Sequence, residues 1–149
     1  MASNTGTGTT GTAPSTTDLM EQIAAVGAAY FQDFAVAAAR HGLSSSQAKA
    51  LKAVLEPVPM RALAGRLGCD ASNVTGIVDR LEALGYAHRE AAAADRRVKI
   101  VTITDQGRDV LDRIRADMTR AHAAFDSLDP DQRAALSGLC DQVLPLLRP

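Results

Sequence analysis

Residues 70–104 constrain this chain more than any other stretch. They read DASNVTGIVDRLEALG, then YAHRE, AAAA, DRR and VKIVTIT. Val74, Ile77, Val78, Leu81 and Leu84 recur at helical spacing and form one apolar face. Asp70 is a natural N-cap for that helix, and Gly85 a natural stop. At about 100° per residue, the opposite face carries Ser72, Gly76, Asp79 and Ala83, flanked by Thr75 and Arg80. Two β runs follow, 86–90 and 98–104. The second alternates Val98, Ile100 and either Val101 or Ile103 with polar residues. The connection 91–97 is longer than a tight turn, so the hairpin is expected to end in a loose tip.

Helical patterns flank this segment. Residues 1–17 are nearly all Gly, Thr, Ser and Ala, and are expected to form a disordered tail. Over 17–40 a stripe of Leu19, Ile23, Val26, Tyr30, Phe34 and Ala37 predicts a first helix stopped by Gly42. Ser44 and Gln47 make a capping box for a second, with Ala48, Leu51, Val54 and Leu55 inward. Pro57 and Pro59 end it. A short third helix, 60–67, closes at Gly68. Beyond the hairpin, Thr104 can cap a fifth helix over 105–128. There Leu111, Ile114, Met118, Ala121, Phe125 and Leu128 alternate steps of three and four, a coiled-coil-like repeat. Asp129, Pro130 and Gln132 open a sixth helix with N-cap, N1 proline and N3 partner in place. Its stripe is Leu136, Leu139, Cys140, Val143 and Leu146, which marks Cys140 as core. The order is α-α-α-α-β-β-α-α: mainly α, with a small β-hairpin.

Composition narrows the function classes. Of 149 residues, 46% are hydrophobic and only 3% aromatic, so the core is built from Leu, Ala, Val and Ile. Net charge is −1, but residues 61–99 hold seven Arg/Lys and five acids, leaving the remainder at −3. His41, His88 and His122 are scattered, and neither a nucleophile–base pair nor a Gly-rich phosphate loop is evident, which argues against an enzyme. Cys69 and Cys140 lack metal-ligand spacing and make no disulfide framework, so no metal or cofactor is expected and the setting reads as cytoplasmic. No apolar run approaches a membrane span, and the N-terminus lacks the basic start and apolar core of a secretory signal.

The chemistry of 61–104 points to duplex DNA. Two short helices joined by a Gly-containing turn cross steeply and leave the second exposed. Small residues on its outer face let a helix sink into a major groove. Ser72, Asn73 and Thr75 can contact bases or phosphates there, and Arg80 a phosphate. Arg97 or Arg96 at the hairpin tip could enter a minor groove, with Asp95 accepting from the guanidinium. Single strands are disfavoured because the surface has almost no stacking aromatics. A helix–hairpin unit used only for protein contacts remains the competing reading; it would not require Ser72, Gly76 and Arg97 on one surface.

The segments LSSSQ (43–47), LAGRLGCDASNVTGIVDRLEALGY (63–86), DRR (95–97) and ITDQG (103–107) resemble the MarR family of winged helix-turn-helix transcription regulators. The resemblance implies a homodimer reading a pseudo-palindromic operator, most often as a repressor. It implies a recognition helix at 71–84 presenting Ser72, Asn73, Thr75, Gly76 and Arg80. It also implies that Arg97, beside Arg96, is the minor-groove arginine and Asp95 its orienting acid. On this division, 18–42 and 105–149 are dimerisation helices around a DNA-binding region at 43–104. The long apolar stripes at both chain ends independently favour a partner copy. Many relatives release DNA when a small aromatic acid or phenol enters a cleft beside the dimer helices. Tyr30, Phe34 and His41 are the candidates by location, with Phe31 and Arg40 nearby. Some relatives sense peroxide through a cysteine near the start of the first helix. None stands there, and Cys69, before the recognition helix, is the remaining redox candidate, against a packing role as a small filler.

Overall fold

Helix caps set most of the element boundaries. The computed structural model describes residues 13–147. The expected N-terminal tail therefore lies largely outside the described residues, but its last five positions do not. Ser15 caps α1 (Thr16–Arg40) through a reciprocal pair with Asp18, so residues 16 and 17 are helical. In the same way, Ser44 Oγ accepts the Gln47 amide at 3.2 Å while Gln47 Oε1 accepts the Ser44 amide at 3.0 Å, opening α2 (Ser45–Ala53). Helix α3 (Met60–Leu67) follows, then α4 (Ala71–Ala83), α5 (Asp105–Ala116), α6 (Thr119–Asp126) and α7 (Pro130–Leu147). No helix of the described residues is long and apolar enough to cross a membrane.

A three-stranded antiparallel sheet has the strand order β1-β3-β2. Strands β2 (Ala87–Ala91) and β3 (Lys99–Ile103) form the expected hairpin, in register from Ala87↔Ile103 to Ala91↔Lys99. Strand β1 (Val58–Pro59) has no counterpart in the sequence reading, where the two prolines served only to end a helix. It pairs Val58 with Val101 and Pro59 with Ile100. Proline cannot donate to a ladder, so this strand is confined to the sheet edge.

The core runs from the C-terminal half of α1 through α2, α4 and β3 to α5. Phe34, Leu51, Leu63, Leu81, Leu111 and Ile114 are all fully buried in it. Thr104 closes the hairpin onto α5: its hydroxyl donates to the Gly85 carbonyl at 2.6 Å and accepts the Gly107 amide at 3.0 Å. Position 107 must be glycine there, because a Cβ would run into the Tyr86 carbonyl and the Ile103 side chain.

The structure corrects the helix expected over 105–128. That repeat is broken at Asp117–Met118, where Met118 has ψ 69°. Two α1 side chains hold the break. Asp33, 5% exposed, accepts the Ala121 amide at 2.9 Å and so caps the first turn of α6. His41 Nε2 lies 2.8 Å from Asp117 Oδ2. Met118 itself is buried, whereas Phe125 is 42% exposed, so the stripe changes direction at the joint.

A second correction concerns Cys140, on the exposed stripes of the chain ends. Leu19, Ile23 and Val26 of α1 are exposed, and only Phe34, Ala37 and their neighbours reach the core. Helix α7 has no buried residue; Leu136, Leu139 and Val143 face outward, and Cys140, read as core, is exposed too. Asp129 and Gln132 nevertheless cap α7 reciprocally, as their spacing predicts.

Candidate nucleic-acid interface

The turn between α3 and α4 is set by Gly68, whose φ of 63° lies in the left-handed region that favours glycine. Asp70 then starts α4. Its Oδ1 accepts the Asn73 amide at 2.8 Å and the Ser72 hydroxyl at 2.6 Å. These bonds, the Ser72 hydroxyl first and the Asn73 amide second, hold the Asp70 carboxyl below its ordinary value despite a small opposing effect of burial. Cys69 just before it is half-buried against the core, which suits a packing role.

Val74, Ile77, Val78 and Leu81 are buried, so the other face of α4 turns outward. Ser72, Asn73, Thr75, Gly76 and Arg80 are all exposed on it. Their hydrogen-bonding capacity is unequal. The Ser72 proton is committed to Asp70, and the Thr75 hydroxyl donates to the Ala71 carbonyl at 2.9 Å. Both hydroxyls are left mainly as acceptors. The Asn73 side-chain amide and the Arg80 guanidinium make no hydrogen bond among the described residues, so they are the groups of this face with uncommitted donors.

The hairpin tip is more ordered than its length suggests. The Ala92 amide donates to the Val98 carbonyl at 2.9 Å, and the Val98 amide to the Asp95 carbonyl at 3.0 Å. The Asp95 carboxylate accepts the Arg97 backbone amide at 3.0 Å, not its guanidinium as the sequence reading expected. This is an Asx-turn: the acid shapes the backbone under the arginine rather than gripping its head. Asp95, Arg96 and Arg97 are exposed, and neither guanidinium has an ionic partner among the described residues.

Sequence reasoning missed Arg89 as a participant. From β2 it reaches α4, with Nη1 at 2.6 Å from Asp79 and 2.7 Å from Glu82. The signal was present only as an arginine in an edge strand and two acids on a helix, and their meeting is tertiary.

The candidate ligand residues separate. Tyr30 borders two open cavities, of about 200 and 350 Å³, shared with Ala121 and Phe125 and edged by His122 and Arg120. Phe34 is 1% exposed and lines neither. His41 is bonded to Asp117 and lines neither cavity. Phe31 is exposed, edge-on to Tyr30, with the Lys49 ammonium 5.2 Å above its ring.

Residues 44–99 match the model of the MarR family. Across 111 residues the chain is 30% identical to YkoM of Bacillus subtilis, an uncharacterized HTH-type transcriptional regulator, covering 72% of this chain and 68% of that protein. The chain belongs to the MarR family. Among solved structures it is similar to CouR from Rhodococcus jostii bound to p-coumaroyl-CoA, with 27% identity and a TM-score of 0.67, covering 89% of this chain and 93% of CouR. It shares the fold of a mutant MarR from E. coli complexed with operator DNA, with 22% identity and a TM-score of 0.61 over 85% of this chain and 94% of that one. The MarR-family winged helix is thus α2 to β3, with α4 as its second helix-turn-helix element and β2–β3 as its wing. MarR-family members are transcriptional regulators rather than enzymes.

Asp70 makes the start of α4 sensitive to acid. Its carboxyl is held below the ordinary 3.8, so its contribution is complete above that value and is lost as pH falls through the lowered one. The difference in thermal midpoint between wild type and Asp70→Ala is therefore expected to be constant near neutrality and to shrink below pH 3.8. Thermal unfolding followed by circular dichroism over a pH series measures it. A difference that persists undiminished to about pH 2 would rule the charged cap out.

Proposed function

We propose that this MarR-family regulator acts in the cytoplasm as a homodimeric repressor. It binds a pseudo-palindromic operator in double-stranded DNA, and a small aromatic or phenolic molecule releases it. The observation that carries the DNA reading is the pairing of one buried and one exposed side on α4, next to a wing whose Arg96 and Arg97 are unpaired among the described residues. In this reading Asn73 and Arg80 supply donors in the major groove. Ser72 and Thr75 accept, Gly76 allows close approach, and Arg97 enters the minor groove from a turn shaped by Asp95. The fold shared with a MarR–operator complex supports it.

Pairing of two copies is supported by the chain ends. Leu136, Leu139, Val143, Leu144, Leu146 and Leu147 are exposed on α7, as are Leu19, Met20, Ile23 and Val26 on α1. Apolar surface of this extent marks an interface. An 18-residue helix with no buried residue is marginal in water. A second copy offers the same two helices in return, as a two-fold interface requires. Segments 18–42 and 105–149 would then join the copies and 43–104 would hold DNA, setting two α4 helices about one helical turn of DNA, ~34 Å, apart. The effector reading is supported by the cavities beside Tyr30 and by the likeness to CouR, which was solved with p-coumaroyl-CoA.

Arg97→Ala is expected to weaken binding to a duplex selected by the wild-type protein by about 1–3 kcal/mol, with the dimer intact. Unchanged affinity at matched salt would remove Arg97 from the interface. Sedimentation at micromolar concentration is expected to give a dimer, and Leu139→Asp with Val143→Asp monomers; a monomeric wild type refutes the pairing. Titration with hydroxylated aromatic acids is expected to release the bound duplex, with Tyr30→Ala shifting the midpoint. If no such compound releases DNA, the effector class is wrong.

A further inference from the structure

The proposed DNA surface contains a problem that one side chain solves. Helix α4 carries Asp79 and Glu82 within one turn of Arg80, and a carboxylate near duplex phosphates is repelled. Arg89 reaches across from β2 and engages both. Its Nη1 lies 2.6 Å from Asp79 Oδ1 and 2.7 Å from Glu82 Oε2, and its Nη2 donates to the Thr75 carbonyl at 3.1 Å. The other oxygen of Glu82 accepts the backbone amide of Arg89 at 2.7 Å. One residue of the wing is thus fastened to positions 75, 79 and 82 of the recognition helix.

We infer that Arg89 is a positioning residue for DNA recognition: it fixes the wing against the recognition helix and cancels acidic charge that would otherwise face the duplex. Three observations separate it from a phosphate ligand. Its side chain is 23% exposed, so the head points into the α4–β2 seam rather than to solvent. Its guanidinium already donates to Glu82 and to the Thr75 carbonyl and is ion-paired with Asp79. In contrast, Arg80, Arg96 and Arg97 are exposed and without ionic partners among the described residues, which is the state a phosphate-binding cation needs. An exposed ion pair contributes little to stability. A half-buried guanidinium shared by two carboxylates, a backbone carbonyl and a β-strand instead fixes orientation, because its planar fork accepts few alternative geometries. Arg96 and Arg97 lie on the same hairpin, so their placement relative to α4 depends on this contact.

The inference rests on the DNA reading, and a double-mutant cycle separates the two. The probe is a duplex recovered by the wild-type protein from a randomised pool; affinity is read by fluorescence anisotropy, with urea unfolding in parallel. Arg89→Ala is expected to bind about tenfold more weakly. In a background of Asp79→Asn with Glu82→Gln, the same substitution is expected to cost less than about threefold, since the charges it offsets are gone. Arg89→Lys, which keeps the cation without the fork, should recover part of the loss and stands in if the alanine variant does not fold. An equal cost of Arg89→Ala in both backgrounds would make Arg89 an independent DNA contact and overturn the inference. So would unchanged affinity in Arg89→Ala, or a lysine variant no better than alanine. A wild-type protein that recovers no duplex overturns the DNA reading itself, and this inference with it.

Discussion

The one-sided burial of α4 governs the rest of the architecture. Val74, Ile77, Val78 and Leu81 pack inward, and burying a side chain of this size contributes roughly 1.5–3 kcal/mol. A surface ion pair contributes about 0–1 kcal/mol, so apolar packing and not charge decides which way the helix faces. Once that is decided, Ser72, Asn73, Thr75, Gly76 and Arg80 must point outward together. The hairpin docks at the same helix because Leu81 and Ala87 share its core and Arg89 binds its flank. Helix α4 and the wing therefore form one surface made from two packing decisions.

The junction between that surface and the C-terminal helices is built differently. The spacing of apolar residues across 105–128 suits one uninterrupted helix, and nothing local forbids it. The break at Asp117–Met118 is stabilised from outside, by Asp33 on α1 capping α6 and by His41 bonding Asp117. These partners are 88 and 76 residues distant in sequence. Helix α1 thus sets the angle at which the distal helices leave the winged core. The cavities beside Tyr30 sit next to this joint, where Asp33, Met118 and Ala121 also contribute lining.

Much of the fold was legible because its signals are local. Ser44 with Gln47, Asp70, Thr104, and Asp129 with Gln132 cap helices as their spacing predicts, since each satisfies amides within three residues of itself. The exposed face of α4 was legible for the same reason: knowing the buried stripe fixes its opposite. The wing tip was legible in content but not in geometry. Asp95 was expected to hold a guanidinium and instead accepts a backbone amide, a choice between two nearby donors that residue types alone do not make. Strand β1 was hidden because two residues, one a proline and the other preceded by one, carry no periodicity and exist as a strand only through Val101 and Ile100.

What residue order alone determined is most of the helices, the hairpin, many of the caps and the buried faces of the winged core, because propensity, capping and amphipathic spacing act over a few residues. What only the tertiary structure decided is how those elements meet. The edge pairing of Val58, the α5–α6 break imposed from α1, and the clasp of Arg89 on Asp79 and Glu82 each join groups with no local relation to one another. Such contacts form only after the core has brought their partners within hydrogen-bonding range, so no window of sequence contains them.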